Sequence, residues 1–213
     1  MSKITIEFFH DVICSFCFPM SYRMRKLQEM MPDIEIIHRS FALVKEENHF
    51  DLMFGDRANA KEEILGHWVH ANQNDDLHRF NIEGMKRADF PFPSSMNVLK
   101  TCKAAYFIGG DPEYWNVFDA LQKALFVENR NIGSQTVIYQ VIRETGVDFE
   151  LWKQYYEEES TEEGVESDLR LAELYGIRSI PHLVINGKYR VSGAQSITNI
   201  FRVIEEVKQD MEA

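Results

Sequence analysis

Cys14 and Cys17 are separated only by Ser15 and Phe16, a spacing at which two cysteines opening a helix can close a small disulfide ring. Thiolates attack disulfide sulfurs, so such a pair can capture a substrate disulfide with one sulfur and release it with the other. At a helix N-terminus Cys14 faces unpaired backbone N–H groups and the positive end of the macrodipole, which favour thiolate over thiol. Cys17, one helical turn further in, then resolves the mixed disulfide by attacking Cys14. The same spacing supplies half of many zinc sites, but a structural zinc needs two more ligands. The only other cysteine is Cys102, and histidines such as His10 show no ligand-like pairing, so no metal is expected. A redox pair is preferred over two inert buried thiols because the motif directly follows a strand pattern and opens a helix.

The elements that position this pair are legible on both sides of it. Residues 4–9 are β-branched and aromatic, as a buried strand requires. From Cys17 to Met31 the positions Met20, Met24, Leu27 and Met31 recur at helical spacing, with Arg23, Lys26 and Glu29 elsewhere on the wheel. Pro32-Asp33 ends that helix, and strand character resumes from Ile34 to Phe41. Together these make a βαβ unit.

From about residue 45 to 160 strand patterns vanish and helix boundaries follow one another. Ser94 or Ser95 opens the helix that carries Cys102, Asp111-Pro112 opens another, Ser134 and Gly146 bracket a third, and Asp148 caps the next. Ser160-Thr161-Glu162-Glu163 reads as a capping box for a helix that Gly176 stops. His182–Ile185, the turn Asn186-Gly187 and Tyr189–Ser192 form a hairpin, followed by a last helix over Ile197–Lys208. We therefore expect an α/β thioredoxin-like fold made discontinuously from residues 1–44 and 160–213, with an all-helical subdomain inserted at 45–159.

The 213 residues carry a formal net charge of −11 with basic residues scattered, which argues against a nucleic-acid partner. No run approaches the roughly 20 apolar residues of a membrane span. The first residues, Met1-Ser2-Lys3 and then a strand, do not read as a secretory signal, so a cytoplasmic location is expected. Three cysteines in a reducing compartment favour chemistry over a disulfide framework.

Ile180-Pro181 lies after Gly176 and immediately before a strand, where proline cannot donate to a ladder. An X-Pro bond is ordinarily trans. With this dipeptide and the cysteine pair in place, the sequence resembles the DsbA family of thioredoxin-fold proteins, and within it the FrnE-like branch. The segments that carry the likeness are Asp11-Val12-Ile13-Cys14-Ser15-Phe16-Cys17, Ala124-Leu125-Phe126 with Asn131-Ile132, Gly176-Ile177-Arg178-Ser179-Ile180-Pro181, and Gly187-Lys188-Tyr189 with Val191-Ser192-Gly193-Ala194-Gln195. The resemblance implies a redox-active Cys14/Cys17 pair and a cis Pro181 that turns the backbone of Ile180 toward an extended substrate. Ile180, Ser15 and Phe16 are the expected substrate contacts, and no cofactor is expected beyond the redox-active disulfide. Protein thiols and disulfides are the expected partners, with glutathione open as a co-substrate and the oligomeric state unassigned. The branch commonly carries Pro-Trp between its cysteines, where this chain has Ser15-Phe16. Oxidase and reductase directions therefore stay open, with a lean to reductase or isomerase because no histidine stands beside Cys17.

Two readings from other classes compete. Kappa-class glutathione transferases and hydroxychromene-carboxylate isomerases share the architecture, but typically have serine at the first position. A redox-regulated chaperone is motivated by Phe90-Pro91-Phe92-Pro93, whose aromatics are more simply core and loop packing. Glu7 is weighed as a proton relay near Cys17 and read instead as edge-facing or solvent-paired. His10 reads as a satisfied strand end, His182 as an ordinary strand residue and Cys102 as a buried, inert thiol.

Overall fold

A computed structural model describes residues 3–45, 50 and 57–212. In chain order the elements are β1 (Thr5–His10), α1 (Cys17–Met30), β2 (Glu35–Ser40), α2 (Arg57–Asn74), α3 (Ile82–Arg87), α4 (Ser95–Phe126), α5 (Gln135–Thr145), α6 (Phe149–Glu157), α7 (Glu159–Leu174), β3 (His182–Ile185), β4 (Tyr189–Ser192) and α8 (Ile197–Glu212). The strands form one sheet in the order β2-β1-β3-β4, with β1 and β2 parallel and the other pairs antiparallel. Among the described residues no strand lies between β2 and β3.

β1 is buried from Ile6 to His10 because both sheet faces are covered. Ile6 and Phe8 join the main core with Met20, Met24 and Leu27 of α1 and Phe118 of α4. Phe9 and Val184 point the other way, onto Ala172 of α7 and Ile177. The outer edge of β2 is closed by two carboxylates: Asp111 accepts the His38 N–H at 2.8 Å and Asp168 the Ser40 N–H at 3.0 Å. Edge groups capped in this way cannot template a further strand. None of the described helices is long and apolar enough to cross a membrane.

Local signals hold where they concern backbone conformation. Asn186 and Gly187 both take positive φ in the β3–β4 turn, Gly146 ends α5 left-handed, and the Asp148 carboxylate caps α6. Other expectations are corrected. α1 starts at Cys17, so Cys14 lies in the turn before the helix and not within it. A second helical arm does open at Asp111-Pro112, as expected, because Gly109 and Gly110 leave helical backbone angles and α4 is two helices meeting at a kink; Asp111, however, spends its carboxylate on β2. No capping box forms at Ser160: α7 begins at Glu159, and Thr161 Oγ donates to the Tyr155 carbonyl. α8 runs on to Glu212. Arg23 is 4% exposed, and its guanidinium donates to Asn74, Asp76 and the carbonyls of Ala194 and Gln195.

Candidate active site

The turn from β1 into α1 is wound by its own backbone. Cys14 N–H donates to the Asp11 carbonyl at 3.2 Å, Cys17 N–H to the Cys14 carbonyl at 3.0 Å, and Phe18 N–H to the Ser15 carbonyl at 3.3 Å. This winding turns the Cys17 N–H toward the Cys14 sulfur as well, at 3.2 Å. An N–H of the first helical turn is thus shared between the Cys14 carbonyl and the sulfur where a thiolate would form. The two sulfurs differ in access: Cys14 is 4% exposed and Cys17 is sealed. Burial, reinforced by the Cys14 sulfur, pushes the Cys17 thiol well above its ordinary range. Both thiols are free.

Across the sheet the Ile180-Pro181 peptide is cis, and the Ile180 carbonyl accepts from the Cys14 thiol at 3.9 Å. Ile180 is half-buried and Pro181 buried; Ser15 and Phe16, both half-buried, occupy the turn between the sulfurs. The fold therefore brings Cys14, Ser15, Phe16, Cys17, Ile180 and Pro181 to one place, although 163 or more positions separate the two segments in sequence.

The residues set aside lie elsewhere. Glu7 faces α7 with Phe9, and its carboxylate is held by Arg39 at 2.8 Å and by the Tyr175 hydroxyl at 2.9 Å. Glu7→Gln is therefore expected to leave thiol exchange within about twofold of wild type while weakening the fold by about 1 kcal/mol. Exchange rates and urea melts on one preparation check both halves. His10 bonds to His38 and not to the cysteine turn. His182 opposes Phe9 and Ser192 in register; burial and then Arg190 lower its pKa. Cys102 is fully buried, and that burial pushes its thiol well up.

Sequence reading missed Asp11 as a site residue. Its carboxylate is inaccessible to solvent and accepts from Ser95 Oγ at 2.6 Å, Leu43 N–H at 2.8 Å and Ile13 N–H at 3.3 Å. Its carbonyl holds Cys14 N–H. Burial raises the carboxyl pKa to about 6 against the pull of those donors. Gln122 of α4 adds a second tie, donating to the Val12 carbonyl at 3.4 Å. Asp11 stood in the motif, three residues before Cys14, but its burial depends on Leu43 and Ser95, which no local pattern connects to it.

Comparison with known proteins gives the family and the fold. The family model of the DSBA-like thioredoxin domain matches residues 5–205. The sequence finds no match among curated proteins. Among solved structures, a provisional protein disulfide isomerase of Nitrosomonas europaea superposes with a TM-score of 0.80 at 14% identity, covering 98% of this chain and 99% of that one. The cytosolic disulfide reductase DsbM of Pseudomonas aeruginosa, solved with GSH, gives 0.73 at 16% identity over 97% and 99%. A 2-hydroxychromene-2-carboxylate isomerase gives 0.66 at 12% identity over 98% of each chain. What this chain shares with all three is the fold expected from its sequence: thioredoxin-like, with helices between the second and third strands.

Proposed function

Because the chain belongs to the DSBA-like thioredoxin domain family, we propose that it is a thiol–disulfide oxidoreductase working through Cys14 and Cys17. The observation that carries this reading is the asymmetry of the two sulfurs. Cys14 is the more accessible and receives the Cys17 N–H, while Cys17 is sealed with its thiol held protonated. In the reducing direction Cys14, as thiolate, attacks one sulfur of a substrate disulfide; a mixed disulfide forms and one substrate thiol leaves. Cys17 then gives up its proton and attacks Cys14, the Cys14–Cys17 disulfide closes, and the second substrate thiol departs. Two electrons pass from the dithiol to the substrate, and the reverse sequence oxidises a substrate dithiol. Pro181 shapes the wall beside Cys14, Ile180 offers its carbonyl to an extended substrate, and Ser15 and Phe16 contact it from the turn.

We assign the chain to the FrnE-like branch on the motifs quoted above, working in the cytoplasm on protein thiols or glutathione without a bound cofactor. A glutathione-dependent isomerase or transferase is the second reading, supported by the fold shared with the isomerase. Its relatives' serine at the first position weighs against it here, where Cys14 stands. The deciding experiment is a glutathione redox titration with thiol trapping and mass spectrometry. The expected result is a reversible two-electron couple assigned to Cys14–Cys17; a potential below the cytosolic poise makes the protein a reductase, and one above it an oxidase. Two cysteines that never bridge under oxidation sink the assignment.

A further inference from the structure

His10 at the end of β1 and His38 in β2 lie side by side beneath α4, and the redox chemistry uses neither. Nε2 of His10 is 2.9 Å from Nδ1 of His38, and the residues are 0% and 2% exposed. One ring must donate to the other. The two remaining nitrogens, His10 Nδ1 and His38 Nε2, are buried and without a hydrogen-bond partner. The walls are aromatic: Phe118 lies 4.1 Å from the His10 ring centre, Tyr114 stacks on His38 at 5.0 Å, and Trp115 meets it edge-on at 4.8 Å. Two neutral rings share one hydrogen bond and leave one N–H and one ring lone pair unpartnered, a cost that carries no net charge. An added proton creates an imidazolium whose new N–H has no acceptor.

The charged surroundings do not rescue that cation. α1 presents Arg25 to His38, and α4 presents Lys103 to both rings, and each disfavours an imidazolium there. Asp168 of α7 is paired with Lys103 and Arg39, and the Asp111 carboxylate is taken by the His38 backbone. Asp119 of α4 is engaged by Arg25 and Ser21, and Arg39 and Glu7 pair on the opposite face of the sheet. Tyr114 and Cys102 of α4 are held neutral by burial. Asp11, next in sequence to His10, is committed to Ser95, Leu43 and Ile13.

The two arms of α4, which meet at the Gly109-Gly110 kink, both grip the cysteine turn, and the arm after the kink also covers the histidines. Ser95 at the start of α4 holds Asp11, and Gln122 near its end holds the Val12 carbonyl. We propose that the His10–His38 pair is an acid-release latch: proton uptake by the pair unseats α4 from the β1–β2 face and frees the turn carrying Cys14 and Cys17. Burial keeps both rings neutral in the folded state, whereas in the opened state each titrates near its ordinary value of about 6.5. The stabilisation is therefore complete above that value and is lost as pH falls below it.

The latch is tested on the reduced, desalted full chain with 4,4′-dithiodipyridine, which reads thiol exposure in acid. Cys14 is replaced by serine in every protein compared, so that no mixed disulfide there draws Cys17 into a bridge, and Cys102 then reports release of α4 and Cys17 release of the turn. His10→Gln and His38→Asn together replace the two bonded nitrogens by amides that pair but do not titrate. Relative to this double variant, exposure of Cys102 and Cys17 in the protein with both histidines should rise by up to about a hundredfold per pH unit below about pH 6, tenfold for each histidine. Asp11 takes up a proton on the folded side over the same interval, but does so in both proteins and cancels. Identical acid profiles would overturn the latch. Should the double variant not fold, the imidazole ¹⁵N shifts of wild type decide: rings neutral until Cys102 becomes reactive support it, and rings that titrate near 6.5 with α4 in place refute it.

Discussion

Replacing Cys17 by serine is expected to stall the proposed reaction halfway, with the substrate left covalently attached to Cys14. Capture needs only the outer sulfur and the N–H of residue 17, and serine retains that N–H at 3.2 Å. Release needs a second sulfur, which serine lacks. Replacing Cys14 by serine removes capture itself, because the remaining thiol is sealed and kept protonated by burial. Turnover of a disulfide-bonded peptide or of oxidised glutathione should fall by roughly three orders of magnitude or more in both variants. Only Cys17→Ser should show the mass of a trapped adduct, reversible by dithiothreitol. Adducts on Cys17 in the Cys14→Ser protein, at wild-type rate, would reverse the two roles.

The placement of the two cysteines between β1 and α1, with Cys17 the more shielded, was readable from the sequence because it rests on local facts: a strand, a two-residue spacer and a helix start. The hairpin at Asn186-Gly187 and the left-handed Gly146 were readable for the same reason, since turn chemistry is decided by the residues in the turn. The expected cis peptide came from family likeness and not from composition. Burial of polar groups behaves differently. Arg23 reads as one more cation on the outer side of α1, yet its partners are Asn74, Asp76 and carbonyls at 194 and 195, and only the folded chain brings those to it. His38 looks like a strand residue facing either way until His10 and Tyr114 are placed against it. The helix start at Asp111-Pro112 was legible from the residues there, but the use of the Asp111 carboxylate on the β2 edge was not, because only the folded chain brings His38 to it.

Asp11 gives the second large effect, and its two substitutions should diverge. Alanine leaves the Leu43 N–H and the Ser95 hydroxyl without their acceptor in a closed site, at about 1–3 kcal/mol for each unsatisfied group. Asparagine can place its oxygen where Oδ2 accepts both of those donors, and gives up only the long 3.3 Å bond from Ile13. It also removes a charge that the fold holds unwillingly. The carboxyl titrates at about 6 in the folded protein, against an ordinary value near 3.8. A raised folded value means that the native state binds the proton more tightly, so wild-type stability falls as pH rises from about 4 to about 6. Two units correspond to about 3 kcal/mol. Asp11→Asn should therefore gain on wild type across that interval and keep the advantage at pH 7.5, while Asp11→Ala stays below Asp11→Asn throughout. The Asp11 charge also pushes the Cys17 thiol upward, so in Asp11→Asn, on a Cys14→Ser background, alkylation of Cys17 should set in at lower pH. Urea midpoints from pH 4 to 8 and the pH profile of alkylation measure the two effects. A uniform loss of stability in Asp11→Asn at every pH, with the Cys17 profile unmoved, would mean that Asp11 holds the turn through hydrogen bonds alone and that its charge is immaterial.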